Sequence, residues 1–296
     1  MERMLTKGIA LLIIISFVFT MVSFAYAQSG NTVMSLSTVA GVGTWGFGGD
    51  NGPARQAKFA GLQQISFGSD GSLYIAEVSN ARIRKVSPTG IVTTVAGTGV
   101  VGNNGDGKPA TQTQLQEPSG VAVAADGTIY IADRKDARIR KVAPNGIVST
   151  VAGTGVAGYN GDNKPAIEAQ LNSPVRVVIG ADGSIYVSET AGARIRKITT
   201  AGLITTVAGT GVQGFSGDGG LASQAKITKP EGMAFGKEGS LYFAETSGNR
   251  VRRILPDGKI ETVVASAYVA DVAVDASGNL YLAETFTNRI KKVSLA

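Results

Sequence analysis

The chain has 296 residues, of which 28 are Lys or Arg, 22 are Asp or Glu, 40 are Gly and none is His or Cys, and its formal net charge is +6. Without His there is no imidazole base, no histidine metal ligand and no Ser–His–Asp triad. Without Cys there are no disulfides, thiolate zinc sites or cysteine nucleophiles. The length allows one large or two small domains, and the Gly content, well above the usual ~7%, predicts many tight turns.

The first 27 residues have the pattern of a secretory signal peptide. Arg3 and Lys7 precede an apolar run that ends in Ala25-Tyr26-Ala27, with the small residues that the signal peptidase accepts. The pattern predicts export of the remaining chain to the periplasm or the outside of a cell, and a cysteine-free exported chain favours a bacterial source. The alternative is an uncleaved N-terminal membrane anchor. No later stretch approaches the ~18 apolar residues of a membrane helix, so we expect no span after cleavage.

A repeat begins after this segment. The sequence Thr-Val-Ala-Gly at residues 94–97 recurs at 150–153 and 206–209, a spacing of 56, and residues 38–41 carry an upstream copy. The last step of the repeat, from Tyr242 to Tyr281, is only 39 residues. A unit of about 40 residues is typical of a four-stranded propeller blade, so the longer spacing contains an insertion of about 17 residues.

Each unit predicts four short antiparallel strands, a to d. In the second unit these strands cover residues 121–123, 128–132, 137–142 and 147–152. Asp126-Gly127 joins strands a and b as a two-residue hairpin, in which Gly supplies the positive φ. The sequence therefore predicts an all-β chain whose sheets are arranged radially.

The number of units predicts how the ring closes. Strands a, b and c occur five times, but strand d follows only the first four, and residues 36–40 form a strand d with no blade before it. The simplest arrangement docks this N-terminal strand into the C-terminal blade, which predicts one five-bladed propeller over residues 35–296. A sixth blade supplied by a partner chain is the alternative.

The units resemble NHL repeats. The run Gly-Val-Ala-Val-Ala-Ala-Asp-Gly-Thr-Ile-Tyr-Ile-Ala-Asp, followed by Ala-Arg-Ile-Arg-Lys-Val, carries the likeness between Gly120 and Val142. The inserted Gly-Thr-Gly…Gly-Asp-Gly…Pro-Ala element resembles the form found in bacterial exported NHL proteins. The resemblance implies a scaffold that serves as a binding module for protein, RNA or glycan, with a few enzymes of related shape, so function must be argued from a site.

The insertions carry glycines and acidic residues that suggest two cofactors. Gly97-x-Gly99-x-x-Gly102 spells a dinucleotide fingerprint, but no long helix follows it, so we expect no nucleotide. Each insertion also has a Gly-Asp pair, in which the carboxylate either fixes the turn and caps the short helix near Pro53, Pro109 or Pro165, or binds calcium. One carboxylate per loop is few for calcium, and we expect no metal or other cofactor. The weak calcium candidates are Asp50, Asp106, Asp162 and Asp218.

Two groups of residues are candidate ligand sites. The insertions carry aromatic side chains that either anchor the loops or form an exposed rim for a protein or sugar, since aromatic residues dominate binding hot spots. These are Trp45, Phe47, Tyr159 and Phe215. At the channel mouth, where strand a begins, the repeat positions differ from blade to blade and place both signs of charge together, so they either bind a ligand or plug the channel. The polar residues there are Gln64, Arg176, Glu231 and Asp271.

The basic runs that start at Arg82, Arg138, Arg194 and Arg250 recur around the ring, together with acidic residues at the ends of strand b. This distribution predicts ion pairs within each blade and argues against a nucleic-acid face. The favoured function is a binding module for a protein or a cell-envelope glycan on the insertion-bearing face. The alternative is a lactonase- or lyase-like propeller enzyme, in which Asp271 and Glu231 would be acid and base and Arg176 would stabilise an oxyanion; we assign no catalytic residue.

Overall fold

The computed structural model describes residues 37–266 and 268–294 and shows a five-bladed β-propeller built from antiparallel sheets. The predicted signal peptide, residues 1–27, lies outside the described residues. Within them, no helix is long and apolar enough to cross a membrane.

The five blades follow one another along the chain. Blade one contains β1 (Gly52–Pro53), β2 (Leu62–Phe67), β3 (Leu73–Glu77), β4 (Arg82–Val86) and β5 (Ile91–Ala96). Blade two contains β6 (Pro118–Val123), β7 (Ile129–Asp133), β8 (Arg138–Val142) and β9 (Val148–Ala152). Blade three contains β10 (Lys164–Pro165), β11 (Pro174–Ile179), β12 (Ile185–Glu189), β13 (Arg194–Ile198) and β14 (Leu203–Ala208). Blade four contains β15 (Pro230–Phe235), β16 (Leu241–Glu245), β17 (Arg250–Ile254) and β18 (Ile260–Ala265), and blade five contains β19 (Val269–Val274), β20 (Leu280–Glu284) and β21 (Arg289–Val293).

The predicted hairpins set the register of each sheet. Between β6 and β7, Gly127 adopts a φ of 86°, and the carboxylate of Asp126 accepts a 2.9 Å hydrogen bond from the backbone N–H of Thr128. The register then places Val121 opposite Ile131. The prediction of five blades with strands in the order a to d is confirmed, apart from the strand d of blade five.

Apolar clusters join neighbouring blades. Four clusters each combine residues of two successive blades, as when Ile83 of blade one packs with Val121 and Ile131 of blade two. A fifth cluster contains only residues of blade one and of the chain before it, including Ala40, Phe59 and Ile75. Burial between the sheets is the main source of the stability of such a fold.

Blade five has three strands among the described residues. Its strand β21 forms an uncovered edge, so Ile290 is 53% exposed, whereas Ile83 at the equivalent position is buried under β5. Residues 37–40 are not in a strand, and Leu36 lies outside the described part of the chain. The predicted docking of residues 36–40 onto this edge therefore stays a prediction.

Each insertion forms an extra outer edge on the blade that it precedes. β1 pairs with β5, β10 pairs with β14, and in blade two Pro109 bridges Ile147. The insertions thus cover the outer edges of sheets, and each ends where the inner strand of its blade begins. The predicted short helices are single 3₁₀ turns, which lie at Ala54–Gln56, Ala110–Gln112, Ala166–Glu168 and Ala222–Gln224, with a fifth at Thr246–Gly248 between β16 and β17.

Candidate functional site

The channel is narrowed where the inner strands begin. Gln64 extends from β2 across the axis, where its amide oxygen accepts hydrogen bonds from the N–H groups of Val121 and Val177 at 3.1 and 3.2 Å. Its amide nitrogen donates to the carbonyl of Val177 at 2.9 Å. One side chain therefore links blades one, two and three, so Gln64 closes part of the channel.

Two glycines make room for this narrow neck. A Cβ added to Gly120 would lie 2.7 Å from the carbonyl oxygen of Val175, and one added to Gly232 would lie 2.1 Å from a carboxylate oxygen of Asp271. Real Cβ atoms do not approach other atoms so closely. The repeat varies at this position because of packing at the axis: Gln64, Arg176 and Asp271 have side chains that reach the axis, and Gly120 and Gly232 between them leave the space.

The predicted charged group does come together in the neck. Arg176 is buried, donates to the carbonyl of Ser119 at 3.2 Å, and has its Nε 3.7 Å from a carboxylate oxygen of Asp271. Burial raises the pKa of Asp271 and of Glu231, while the charge of Arg176 opposes both shifts. The contacts of Gln64 and Arg176 are those of a plug, whereas Asp271 keeps 32% of its side chain exposed.

A cavity of about 410 Å³ lies beyond the neck. Gln64 and Asp271 line its base, and the later halves of the inner strands form its walls, among them Val123, Ile179 and Phe235. No residue of an insertion lines this cavity. The channel residues and the aromatic residues of the insertions are therefore two separate candidate sites.

The acidic residue of each insertion binds a buried arginine of the blade that follows the insertion in the chain. The second Arg of each basic run, which is Arg84, Arg140, Arg196 or Arg252, is fully buried in strand c. The distances from Asp50, Asp106, Asp162 and Asp218 to these guanidinium groups are 2.7, 2.8, 2.7 and 2.5 Å.

These contacts correct the predicted helix caps. None of the 3₁₀ turns in the insertions has a side-chain cap, because the carboxylates point to the guanidinium groups and to threonines such as Thr94. The four carboxylates lie in four different blades. Among residues 37–266 and 268–294, no three Asp, Glu, His or Cys residues form a group that could hold a metal ion.

The buried arginines also face the predicted acidic partners on strand b. Arg84 lies 3.5 Å from Glu77, and Arg196 lies 3.7 Å from Glu189. Burial raises the pKa of Glu189 to about 7, although Arg196 opposes the shift. In blade two the shorter Asp133 is replaced in this contact by Asp136, at 3.8 Å from Arg140. Blades four and five pair Glu245 with Arg250 and Glu284 with Lys291.

The aromatic residues of the insertions are both anchored and exposed. Phe47, Tyr159 and Phe215 are 43%, 42% and 53% exposed. The first Arg of each basic run lies over the ring, at 3.8 Å for Arg82, 3.7 Å for Arg194 and 4.0 Å for Arg250. Such cation–π contacts orient the ring without covering it fully. Blade two has Asn103 at this position, and Asn103 instead donates to Asp136 at 2.7 Å.

A second set of exposed side chains lies on the same insertions. Trp45 is 60% exposed, and Val42 of the same insertion and valines of the other three insertions are exposed as well. The sequence pattern predicts a role for Trp45 but not for these valines, although Val100, Val156 and Val212 recur every 56 residues. We call this set the crown; it comprises Val42, Trp45, Val100, Val101, Val156 and Val212.

The sequence is similar to parts of much longer proteins. Residues 95–160 match the teneurin NHL domain. The chain is 28% identical to mouse Teneurin-1 over 237 residues and 29% identical to Teneurin-m of Drosophila melanogaster over 221 residues, covering 70% and 64% of this chain. It is 29% identical to the Arabidopsis thaliana chloroplastic protein SUPPRESSOR OF QUENCHING 1 over 192 residues, covering 62% of this chain. The chain spans 8% of the length of the teneurins and 18% of the plant protein.

Solved structures of similar fold include binding proteins and enzymes. A structure of the nidogen/laminin complex matches with a TM-score of 0.58 at 17% identity, covering 79% of this chain and 76% of that one. An inactive virginiamycin B lyase from Staphylococcus aureus with quinupristin matches with a TM-score of 0.54 at 21% identity, covering 80% and 68%. A gluconolactonase from Xanthomonas campestris matches with a TM-score of 0.53 at 16% identity, covering 76% and 70%. Identities this low show the fold alone: the chain is a five-bladed β-propeller, with a 56-residue repeat, in which residues 95–160 match an NHL domain.

Proposed function

We propose that this propeller is an interaction module whose crown binds a partner protein. The observation that carries the proposal is that each of the four insertions exposes at least one large apolar side chain, from Trp45 to Val212. Exposed apolar side chains that recur on the same loops are typical of a protein-interaction surface. Trp45 would be the central anchor, because tryptophan is enriched at binding hot spots.

The geometry of the insertions supports this proposal. Each insertion is held to its blade by an ion pair between its own Asp and a buried Arg of the blade, as between Asp106 and Arg140. Such a surface changes little on binding, and the conformational entropy that association costs is reduced. The nidogen/laminin complex offers a propeller of similar fold in a structure with another protein.

An enzyme acting in the channel is the second candidate. The cavity beyond the neck ends at Asp271, and a lyase and a gluconolactonase are among the proteins of similar fold. In this function Asp271 and Glu231 would act on the substrate as general acid and general base, and Arg176 would stabilise an oxyanion. Arg176, however, is bonded to Ser119 and does not line the cavity, which favours the crown as the functional surface.

We further propose that the protein acts outside the cytoplasm. The support is the pattern of residues 1–27, with its basic start, apolar centre and Ala25-Tyr26-Ala27 end. N-terminal sequencing of the exported protein should give Gln28 as the first residue. Retention of Met1 in the membrane fraction would instead support the N-terminal anchor.

Site-specific photo-crosslinking tests the crown. A photo-reactive phenylalanine analogue at position 45 or 101 should crosslink one protein in the compartment where the chain resides. The same analogue at position 91 or 203, where Ile91 and Leu203 are exposed at the hairpins between strands c and d, should not. With that partner purified, the Trp45→Ala variant should bind about tenfold more weakly. Equal crosslinking from both sets of positions, or an unchanged affinity, would refute the proposal.

A further inference from the structure

A groove of about 480 Å³ lies at the outer edge of blade three. One wall is the insertion before the blade, the floor is β14, and the other wall is the insertion that follows. We call it the blade-three groove; its polar lining includes Tyr159, Asn163, Thr205, Thr206, Thr210 and Ser223. It is separate from the channel cavity, and none of the six belongs to the crown.

Several polar groups in the groove are free to bind a ligand. Among the described residues, four polar side chains of the groove make no hydrogen bond: those of Tyr159, Asn163, Thr205 and Ser223. Their neighbours do: the hydroxyl of Thr206 donates to Asp162, and the hydroxyl of Thr210 accepts from the N–H of Val212. Hydroxyls both donate and accept, and an amide does the same through two atoms. The groove therefore suits a ligand that carries donors and acceptors together.

The charges of the groove are already balanced. Asp162 is bound by the buried Arg196 at 2.7 Å, and both terminal nitrogens of Arg194 donate to backbone carbonyls, those of Gly192 and Thr210. No guanidinium is left to form the paired bonds with which Arg holds a phosphate or carboxylate, and the carboxylate of Asp162 would repel an anion. The ligand that fits is neutral.

The ring of Tyr159 supplies an apolar surface beside these hydroxyls. It is 42% exposed, and Arg194 fixes its orientation from 3.7 Å. An aromatic ring next to hydroxyl and amide groups matches a sugar ring, which has C–H groups on its faces and hydroxyls around its edge. A ligand pocket is expected to combine such an apolar surface with a few convergent polar groups.

We infer that the blade-three groove binds a neutral saccharide. The inference goes beyond the proposed function, because the groove lies on insertions that also carry the crown but shares no lining residue with it. The other blades do not present the full set: blade one has Phe47 without the hydroxyl, blade two has Asn103 and Ile167 at the positions of Tyr159 and Ser223, and no insertion follows blade four.

The test is a titration of the full-length chain, labelled at its threonine methyl groups, with chitotetraose, cellotetraose and maltotetraose. At least one of these neutral sugars should shift the NMR signals of Thr205, Thr206 and Thr210 and reach saturation. Tyr159→Ala should weaken binding about tenfold, and Thr205→Val should weaken it as well. Phe215→Ala is the matched control, because it removes an Arg-stacked ring from blade four, which has no such groove, and it should leave the affinity unchanged.

The outcomes separate this site from the crown. If none of the three sugars shifts the groove threonines at millimolar concentration, or if glucuronate or inorganic phosphate binds there instead, the saccharide site is refuted. Binding that survives Tyr159→Ala refutes it too. Trp45→Ala lies outside the groove and should not affect sugar binding, so loss of the crosslinked protein partner in that variant bears on the proposed function alone.

Discussion

At the scale of single residues, the sequence indicates that strand c of blades one to three carries two arginines but not which of the two is buried. In the run Arg82-Ile83-Arg84, alternation along a strand puts both arginines on one face, so the pattern does not distinguish them. Burial of Arg84 follows from the insertion that folds over it and supplies Asp50. The acidic partner on strand b was predictable in blade one and blade three, but not the use of Asp136 in blade two, since that depends on the length of one side chain.

The raised pKa of Glu189 gives a prediction about pH. Burial raises this pKa from 4.5 to about 7, so the folded protein holds a proton that the unfolded chain releases between those values. The free energy of unfolding should therefore fall as the pH rises from about 4.5 to about 7, and then stay level. Glu189→Gln, which mimics the protonated form, should have a smaller slope in urea-unfolding measurements across this range.

The control for this prediction is Asp182→Asn. The hydrogen bond from Lys197 lowers the pKa of Asp182 to about 2, so its titration lies below the range. This variant should keep the slope of the parent protein. A Glu189→Gln variant that also kept that slope would show that the carboxylate does not titrate near neutral pH.

At the scale of elements, the strands and hairpins follow from local sequence, whereas the course of the insertions does not. Asp-Gly turns and alternating apolar residues predict β7 to within one residue and the end of β6, but not the first three residues of β6. The insertions pair with the outer strand of the following blade through one or two residue pairs, as between β1 and β5. So short a pairing leaves no alternating pattern in the sequence. It also depends on an ion pair between an Asp and an Arg that are far apart in the chain, such as Asp50 and Arg84.

Removal of one such pair should loosen one insertion. Asp106→Ala leaves the buried guanidinium of Arg140 with Asp136 at 3.8 Å as its remaining acidic partner. We expect a loss of about 2 kcal/mol in the free energy of unfolding, the usual consequence of leaving a buried charged group short of partners. Hydrogen exchange of the backbone N–H groups of residues 105–110 should accelerate.

Two comparisons decide this prediction. Exchange in the insertions held by Asp50, Asp162 and Asp218 should not change, because each has its own arginine. Asp257→Ala removes an exposed partner of Lys259 and should cost less than about 1 kcal/mol. Acceleration spread over all four insertions would contradict the idea that each is held separately.

At the scale of the whole molecule, the number of blades was predictable because the repeat can be counted, whereas closure of the ring stays a prediction that rests on analogy between blades. In blades one to three, the strand c residues Ile83, Ile139 and Ile195 lie opposite Ala96, Ala152 and Ala208. The residue after each of these alanines is a glycine that donates to an alanine of the next 3₁₀ turn, as Gly97 does to Ala110. Gly41 donates to Ala54 in the same way, so Ala40 has the place that those alanines have before the next blade.

This equivalence predicts a specific contact between the two ends of the propeller. If residues 36–40 complete blade five, Ala40 lies opposite Ile290, and cysteines at both positions should form a disulfide within one chain, because paired residues of neighbouring strands bring their Cβ atoms within bridging distance. The parent chain has no cysteine, so any crosslink comes from the introduced pair. Val39→Cys combined with Ile290→Cys is the matched control, since a shift of one residue turns the side chain to the other face of the sheet. Mass spectrometry of the oxidised monomer should find the 40–290 bridge and little of the 39–290 bridge.

Two other outcomes would contradict this prediction. Disulfide-linked dimers in place of the monomeric bridge would mean that another chain pairs with the edge at β21. No bridge at all would mean that the ring is open between its first and last blades.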